Sequence, residues 1–220
     1  YFPDRRSSDL CALEAGLPFQ VNTTVSTANA GALDAIHQRV VRAGATRWDL
    51  FFLVPTGRGA ALADMALSAP RAERVLEWVM ATARRSPISL KVTCAPQAVR
   101  IRDRGHAAER AAPATGCMAG DGFLFISHTG ELQPCGFLDV SCGNVRDTAF
   151  DVQRLYETAP ALRALRDTAG YTGTCGRCGY VDTCGGCRAR AYAATGDMRA
   201  GDPLCAYRPA VSAAAGAVCV

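Results

Sequence analysis

The chain has 220 residues, of which 24 are basic and 20 acidic, so its formal net charge is +4. A charge this small does not favour a nucleic acid or an anionic membrane surface as the partner. No apolar stretch approaches the roughly 18–20 residues that a membrane span needs. Because 49% of the residues are apolar, the chain can bury a substantial core, and the composition argues against wholesale disorder.

The first region of the chain alternates between strand and helix patterns. Short apolar runs predict strands at residues 20–25, 48–54 and 88–94, and apolar residues at helical spacing predict helices at 31–43 and 70–83. Such an alternation indicates an α/β fold with a parallel sheet. Three strands leave both sheet edges open, and the chain starts with Tyr1 rather than Met. We therefore expect that an N-terminal part is missing and that residues 1–106 form half of a barrel.

Polar residues and one cysteine stand where the predicted strands end, which is where α/β folds gather their functional residues. Asn22 and Thr24 either bind polar groups of a ligand or satisfy local backbone groups. Arg58, flanked by glycines, either clamps a carboxylate or is a solvated loop residue. Cys94 has two interpretations. Its thiol faces a bound substrate or a metal cluster, or it is a small buried residue at a strand end, and the latter interpretation is favoured.

Cysteines divide the chain into two regions. Nine of the eleven lie at or beyond residue 117, and an odd number fits a complete disulfide framework poorly. We predict a loop at 107–116, a second domain over residues 107–209 and a tail at 210–220. Within that domain, residues 123–127 and 131–135 predict a β-hairpin, and helices are predicted near 149–157, 161–167 and 188–195.

The cysteines of the second region have metal-ligand spacing. A CxxC pair places two thiolates on one turn, and both a 4Fe–4S cluster and a structural zinc ion require four such ligands. The two CxxC pairs are separated by only five residues, which is shorter than the element that separates the pairs of a zinc ribbon. Eight cysteines suffice for two four-thiolate sites, which favours clusters over one zinc ion. They are Cys117, Cys135, Cys142, Cys175, Cys178, Cys184, Cys187 and Cys205.

This pattern resembles the SPASM domain of radical S-adenosylmethionine (SAM) enzymes. It reads Cys-x12-Gly-x4-Cys from Cys117, then CxxC-x5-CxxC from Cys175, then Cys205. The last gap of the quartet is one residue shorter than is usual in the family. The segments LPFQVNTTV, WDLFFLVPTGRG, VTCAP, GCMAGDGFLFISHTGELQPCGF, CGNVRD and CGGCRARAYAATGD resemble the branch that acts on tetrapyrroles in heme and heme d1 synthesis.

The resemblance implies a ligand set for two auxiliary 4Fe–4S clusters. Cluster two would be held by Cys175, Cys178, Cys184 and Cys205. Cluster one would be held by Cys117, Cys135, Cys187 and a fourth ligand. For that position Cys142 is the candidate, the alternative being a free buried thiol. Arg188 and Arg190, on the predicted helix after Cys187, would bond sulfide or substrate carboxylates, or would form a solvated helix face, which is favoured.

The resemblance also implies a fold and an activity. It predicts the C-terminal half of a partial (β/α) radical SAM barrel followed by a small cysteine-rich α+β domain with a hairpin and short helices. Asn22, Thr24 and Arg58 would lie near SAM. In the full-length protein, SAM cleavage would give a 5′-deoxyadenosyl radical that attacks a tetrapyrrole propionate and leads to oxidative decarboxylation. A ferredoxin or flavodoxin would supply electrons, and thiolate clusters indicate a reducing cytoplasm.

One motif of the family is missing from the chain. No three cysteines have the CxxxCxxC spacing that binds the catalytic cluster of radical SAM enzymes. We therefore expect SAM and a third 4Fe–4S cluster only in a full-length protein, and no SAM cleavage by this chain alone. The alternative functions are a SPASM-containing peptide maturase, a stand-alone iron–sulfur electron carrier or interaction module, and a non-functional remnant.

Overall fold

The computed structural model describes residues 7–105 and 116–209. The first of these ranges, called the sheet segment below, contains a three-stranded sheet and several helices. A 3-10 helix, Gly57–Met65, lies between the second strand and the third helix of the segment. The other elements are, in chain order, α1 (Ser7–Glu14), β1 (Gln20–Val25), α2 (Leu33–Arg42), β2 (Arg47–Phe52), α3 (Ala69–Ala83), β3 (Ser89–Thr93) and α4 (Ala98–Gly105).

The sheet is parallel, with the order β1-β2-β3, as the alternating pattern predicted. Successive side chains of a strand point to opposite faces, so β2 presents two different surfaces. Trp48, Leu50 and Phe52 form the apolar face, and all three are buried in the main core of the segment. Residues of α2 and α3, including Val40 and Leu76, belong to the same core. Burial of these large side chains holds the helices on one face of the sheet.

The opposite face of the sheet is polar. The register places Asn22 beside Asp49, and Asp49 beside Lys91. A parallel sheet covered by helices on both sides is apolar on both faces, so the polar residues distinguish this surface from the helix-covered one. The strand ends of the sheet segment therefore adjoin a face that offers hydrogen-bonding groups.

Helix α4 lies where the sequence predicted a polar connection rather than a helix. It packs against α3 and against a helix of the second segment, α8 (Val181–Cys184). Arg100 is only 2% exposed, and its guanidinium pairs with Glu73 of α3. Helix α4 buries Arg100 beside the apolar Ala98 and Val99, and a buried charged residue interrupts the apolar periodicity on which sequence prediction depends.

The second range, called the cysteine segment below, contains a short hairpin and several small helices. Its strands, β4 (Phe125–Ile126) and β5 (Leu132–Gln133), are antiparallel and shorter than predicted. The remaining helices are α5 (Val152–Thr158), α6 (Pro160–Arg166), a 3-10 turn (Thr168–Gly170), α7 (Gly173–Gly176), α8 and α9 (Arg188–Thr195). Leu132, Val145 and Leu162 form its apolar centre.

Several predicted features need adjustment or lie outside the described residues. The strand predicted at 48–54 ends at Phe52, and the glycine-flanked Arg58 stands in the 3-10 helix rather than in an open loop. The predicted loop at 107–116 and the tail at 210–220 fall, apart from Gly116, outside the described residues. Within 7–105 and 116–209, no helix has both the length and the apolar character required to cross a membrane.

Candidate iron–sulfur sites

Four cysteines of the cysteine segment line a single cavity. They are Cys175, Cys178, Cys184 and Cys205, the same four that the resemblance to the SPASM pattern implied for one cluster. Helix α7 supplies Cys175, with Cys178 two residues beyond its end, and α8 supplies Cys184 as its last residue. Further parts of the wall come from the glycines after Cys184 and from α4. We call this cavity site two.

Hydrogen-bond donors point at the sulfur atoms of site two. The backbone N–H groups of Tyr180 and Asp202 donate to the Sγ atoms of Cys178 and Cys175, each over 3.4 Å. The Arg188 guanidinium also donates to Cys175 Sγ, at 3.4 Å. Hydrogen bonds to the sulfur atoms of cluster ligands tune the reduction potential of a bound cluster.

Burial opposes ionisation of two of the site-two thiols, those of Cys184 and Cys205, when no metal is bound. It raises the pKa of Cys184 to about 12, and the nearby Cys205 and Cys175 raise it further. Burial also raises the pKa of Cys205. A metal that binds to Cys184 and Cys205 must therefore displace the protons of these two thiols.

Arg100 of α4 contributes a buried positive charge to the wall of site two. Its Nη2 atom pairs with Glu73, whereas its Nη1 atom has no hydrogen-bond partner among the described residues. The charges of Cys205 and Cys184 add to the effect of Glu73 in raising the pKa of Arg100 against its desolvation. A buried donor without a partner is costly, so the cavity offers an N–H group to an anionic occupant.

A second group of cysteines meets around Cys187, at the start of α9. Cys135 and Cys94 pack with Cys187 in one buried cluster, and the charge of Cys187 acts on the thiol of Cys117. The hydrogen bond with Cys94 lowers the pKa of Cys187 to about 7 despite its burial. Burial raises the pKa of Cys117 to about 11. We call the surroundings of Cys187 site one.

Cys142 is not brought together with these residues. It lies in a different buried cluster, with Leu132, Val145 and Leu162. Its thiol donates to the Val140 carbonyl oxygen at 3.7 Å, and burial raises its pKa to about 11. Among the described residues, the structure thus places three of the four sequence-assigned ligands of cluster one near each other, and Cys142 elsewhere.

The two arginines of α9 are buried rather than solvated, so the favoured prediction of a solvated helix face is wrong. Arg188 is 1% exposed and donates to the carbonyl oxygens of Gly186, Met198 and Ala200. Arg190 forms a 3.1 Å ion pair with Asp202, and both side chains are almost completely buried. The two guanidinium groups therefore fix the backbone around the sites.

The three candidate SAM-binding residues all lie on exposed positions of the sheet segment. Asn22 and Thr24 stand on the polar face of β1, where the Asn22 Oδ1 atom accepts a hydrogen bond from Gln20. Arg58 is exposed at the start of the 3-10 helix. Asn22 and Thr24 share one face with Asp49, and their binding role stays a prediction.

Sequence reasoning missed two acidic residues. Asp49 is 1% exposed, accepts hydrogen bonds from Thr93 Oγ1 and pairs with Lys91 at 3.4 Å. A carboxylate inside the apolar run WDLFF was the available signal. Asp202 accepts hydrogen bonds from Gln97, from the Cys187 N–H group and from Arg190. These contacts join residues that are distant in the sequence, so no local sequence pattern could identify Asp202.

Comparison with known proteins identifies relatives of the chain. Over 207 residues it is 44% identical to a protein named AdoMet-dependent heme synthase from Nitratidesulfovibrio vulgaris, covering 89% of this chain and 56% of the relative. The chain is a homologue of the AdoMet-dependent heme synthases. It spans about half the length of these heme synthase relatives. A PqqA peptide cyclase from Granulibacter bethesdensis is 30% identical over 204 residues, covering 90% of this chain and 52% of that protein.

Solved structures support the same fold. SuiB from Streptococcus suis, bound to S-adenosylmethionine, aligns with a TM-score of 0.65 over 93% of this chain and 49% of its own. Native anSMEcpe with bound AdoMet aligns with a TM-score of 0.59 over 90% of this chain and 55% of its own. Both are at most 16% identical, so the likeness concerns the fold. No family model matches the chain. The heme synthase homologues confirm the predicted resemblance to the heme branch of radical SAM proteins, and the two structures support the fold alone.

Proposed function

We propose that the chain is the auxiliary-cluster part of a radical SAM oxidoreductase that acts on tetrapyrrole side chains, by oxidative decarboxylation of propionates. The observation that carries the proposal is site two, where four cysteines and a buried unpartnered arginine nitrogen surround one cavity among the described residues. The heme synthase homologues support the tetrapyrrole substrate. The proposal includes a half-barrel over 1–106 and a SPASM domain over 107–209.

The donor set of site two fits an iron–sulfur cluster better than one metal ion. In a four-iron cluster each iron takes one thiolate, so the sulfur ligands surround the cluster at separate corners. A zinc ion requires its ligands to converge on one point, with zinc–sulfur distances of about 2.3 Å. Among the described residues, no three His, Cys, Asp or Glu side chains are placed to hold a single metal ion. The cysteines of site two instead line a cavity.

We assign Cys175, Cys178, Cys184 and Cys205 to cluster two, and Cys117, Cys135 and Cys187 to cluster one. When bound, such clusters transfer electrons or position a substrate. The protein's own residues donate hydrogen bonds to sulfur, exclude water and fix the loops. Asn22, Thr24 and Arg58 are proposed to contribute to SAM binding in a longer protein, with a ferredoxin or flavodoxin as electron donor in a reducing cytoplasm.

Iron and acid-labile sulfide analysis tests the proposal, after anaerobic reconstitution of the chain. We expect about eight irons per chain with matching sulfide, because two clusters of four irons are proposed. Zinc without iron would overturn the radical SAM interpretation. About four irons would leave one site only.

A peptide substrate is the second candidate function, because PqqA peptide cyclases are also relatives of the chain. Binding of hemin, a tetrapyrrole with two propionates, and of a PqqA peptide can be compared on the reconstituted chain. We expect saturable hemin binding that hemin with esterified propionates does not reproduce, and no comparable binding of the peptide. The reverse preference would favour the maturase.

A further inference from the structure

The thiol of Cys94 comes from the sheet segment but lies at site one. Cys94 follows Thr93, the last residue of β3, and its backbone adopts the left-handed region with φ +60°. Few residues other than glycine adopt this conformation. The chain then continues through Ala95 and Pro96, both buried, toward α4.

Two of the proposed cluster-one ligands are direct neighbours of Cys94. Cys187 belongs to a buried cluster with Val54 and Leu138, and Cys94 and Cys135 are partly buried and pack against that cluster. The charges of Cys187 and Cys135 both act on the Cys94 thiol. The N–H group of Cys117 donates at 3.0 Å to the carbonyl oxygen of Cys184, three residues before Cys187, and the charge of Cys187 acts on the Cys117 thiol. Three thiols from three other stretches of the chain therefore lie near Cys187.

The backbone of Cys94 is fixed from the cysteine segment. Arg190 Nη2 donates to the Cys94 carbonyl oxygen, and Arg190 Nη1 pairs with Asp202 at 3.1 Å. Asp202 Oδ2 in turn accepts the N–H group of Cys187 at 2.8 Å. One ion pair thus holds the main chain of both Cys94 and Cys187, which is what two ligands of one cluster require.

Cys142 lacks every one of these relationships among the described residues. Its side chain packs in the cluster around Leu132 and Leu162, and its thiol donates to the Val140 carbonyl. The charge that acts on it belongs to Glu131 rather than to a cysteine. The contacts of the two cysteines therefore separate the candidates for the fourth ligand.

We propose that Cys94 is the fourth thiolate ligand of auxiliary cluster one, in place of Cys142. The inference rests on the proposed function, since it needs a cluster at site one. With Cys94 as a ligand, both segments contribute to site one. One ligand follows the last strand of the sheet segment, and the other three belong to the cysteine segment.

The test compares Cys94→Ala with Cys142→Ala in the reconstituted 220-residue chain. A four-iron cluster with only three thiolates has one iron that is easily lost on mild oxidation with ferricyanide. That loss releases one Fe²⁺ and one electron from the cluster and leaves a three-iron cluster, which electron paramagnetic resonance (EPR) detects. After this oxidation, we expect the iron content of the Cys94→Ala chain to fall from about eight irons to about seven and its EPR spectrum to show the three-iron signal. Cys142→Ala is expected to behave as the parent chain does.

Three results would overturn the assignment. The three-iron signal could appear only in Cys142→Ala, it could appear in both variants, or it could be absent from both. A parent chain with about four irons or fewer would instead remove the second site, and with it the proposed function on which the assignment rests. The signal of cluster two reports whether each variant folds. If Cys94→Ala does not fold, Cys94→Ser provides an oxygen ligand, and we expect a shifted cluster-one signal with iron retained.

Discussion

The guanidinium of Arg190 donates a hydrogen bond to the backbone carbonyl oxygen of Cys94, although 96 positions separate the two residues. The same guanidinium pairs with Asp202, which also binds Gln97. A buried ion pair thereby connects α9 to the loop between β3 and α4. Contacts of this kind determine how the cysteine segment sits on the sheet segment.

Replacing Arg190 by Gln should strongly destabilise the chain. Removing one partner of a buried ion pair leaves the other charge buried without compensation, at a cost of about 3–5 kcal/mol. Here the remaining charge is Asp202, which is 2% exposed. The midpoint of urea unfolding measures the effect. Arg199→Gln is the matched control, because its 3.9 Å pair with Asp197 is about half exposed and should contribute less than about 1 kcal/mol. Equal losses in both variants would contradict the prediction.

Replacing Arg100 by Gln should lower the reduction potential of cluster two. A positive charge beside a cluster stabilises the reduced form, which carries one more negative charge, so its removal shifts the potential downward. We expect a shift on the order of tens of millivolts. Potentiometry followed by EPR measures it.

Arg104→Gln is the control for this experiment. Both arginines lie 5.1 Å from the centre of the Tyr207 ring, but the Arg104 side chain is 51% exposed. We expect no resolved change of potential in Arg104→Gln. A shift of the same size in both variants would mean that long-range charge, rather than the buried donor, controls the potential.

Substitution of Gly186 should disturb site two through a steric clash. A Cβ atom at this position would lie 2.5 Å from Arg188 Nη2 and 3.0 Å from Cys175 Sγ. We expect Gly186→Ala to lose most of the iron of cluster two. Gly196→Ala is the matched control, because Gly196 also has a positive φ, +75°, but open space around its Cβ position. It should cost about 1 kcal/mol of stability from backbone strain and retain its iron. Retention of iron in both variants would contradict the clash.

The metal-free chain should lose stability as the pH rises above 9. The pKa of a Cys thiol is 9.0 ordinarily, but about 11 for Cys117 and about 12 for Cys184 in the folded chain. A raised folded-state pKa means that the unfolded chain releases these protons first, so the folded state is favoured below pH 9 and loses this advantage as the pH rises toward 12. The pKa of Cys187 is instead lowered to about 7. Its ionisation therefore stabilises the folded chain at high pH, and this contribution is lost as the pH falls through 7.

Urea midpoints of the metal-free chain at about pH 8 and about pH 10.5 measure this dependence. Each raised thiol contributes at most about 1.4 kcal/mol per pH unit. Cys184→Ala should reduce the slope, whereas Cys11→Ala, at an exposed position, should leave it unchanged. A slope that is the same in all three chains would show that these thiols do not cause it.

Local patterns in the sequence predicted much of the fold and little of the contact between its segments. Strand β1 and helix α9 have the predicted bounds, and α3 differs by one residue at its start. These elements have clear periodicity or glycine-marked ends. Helix α4 was missed because the buried residues in and beside it include Arg100 and Gln97, which a pattern search assigns to the surface.

The cysteines show the same division. The spacing predicted metal-binding cysteines, and the resemblance to the SPASM pattern implied the four of them that line site two. The neighbours of Cys187 could not be read from spacing, because Cys94 reaches it across a sequence distance that no local rule constrains. Sequence proximity favoured Cys142, whereas the packing of the loop after β3 places Cys94 there.

The two sites share backbone as well as neighbours. The N–H group of Cys117, assigned to site one, donates to the carbonyl oxygen of Cys184, assigned to site two, at 3.0 Å. Only Gly185 and Gly186 separate Cys184 from Cys187. Filling either site therefore orders a stretch of chain that the other site also needs. Assembly of the two clusters should be cooperative, so that half-loaded chains stay scarce during reconstitution and chelators remove both clusters together.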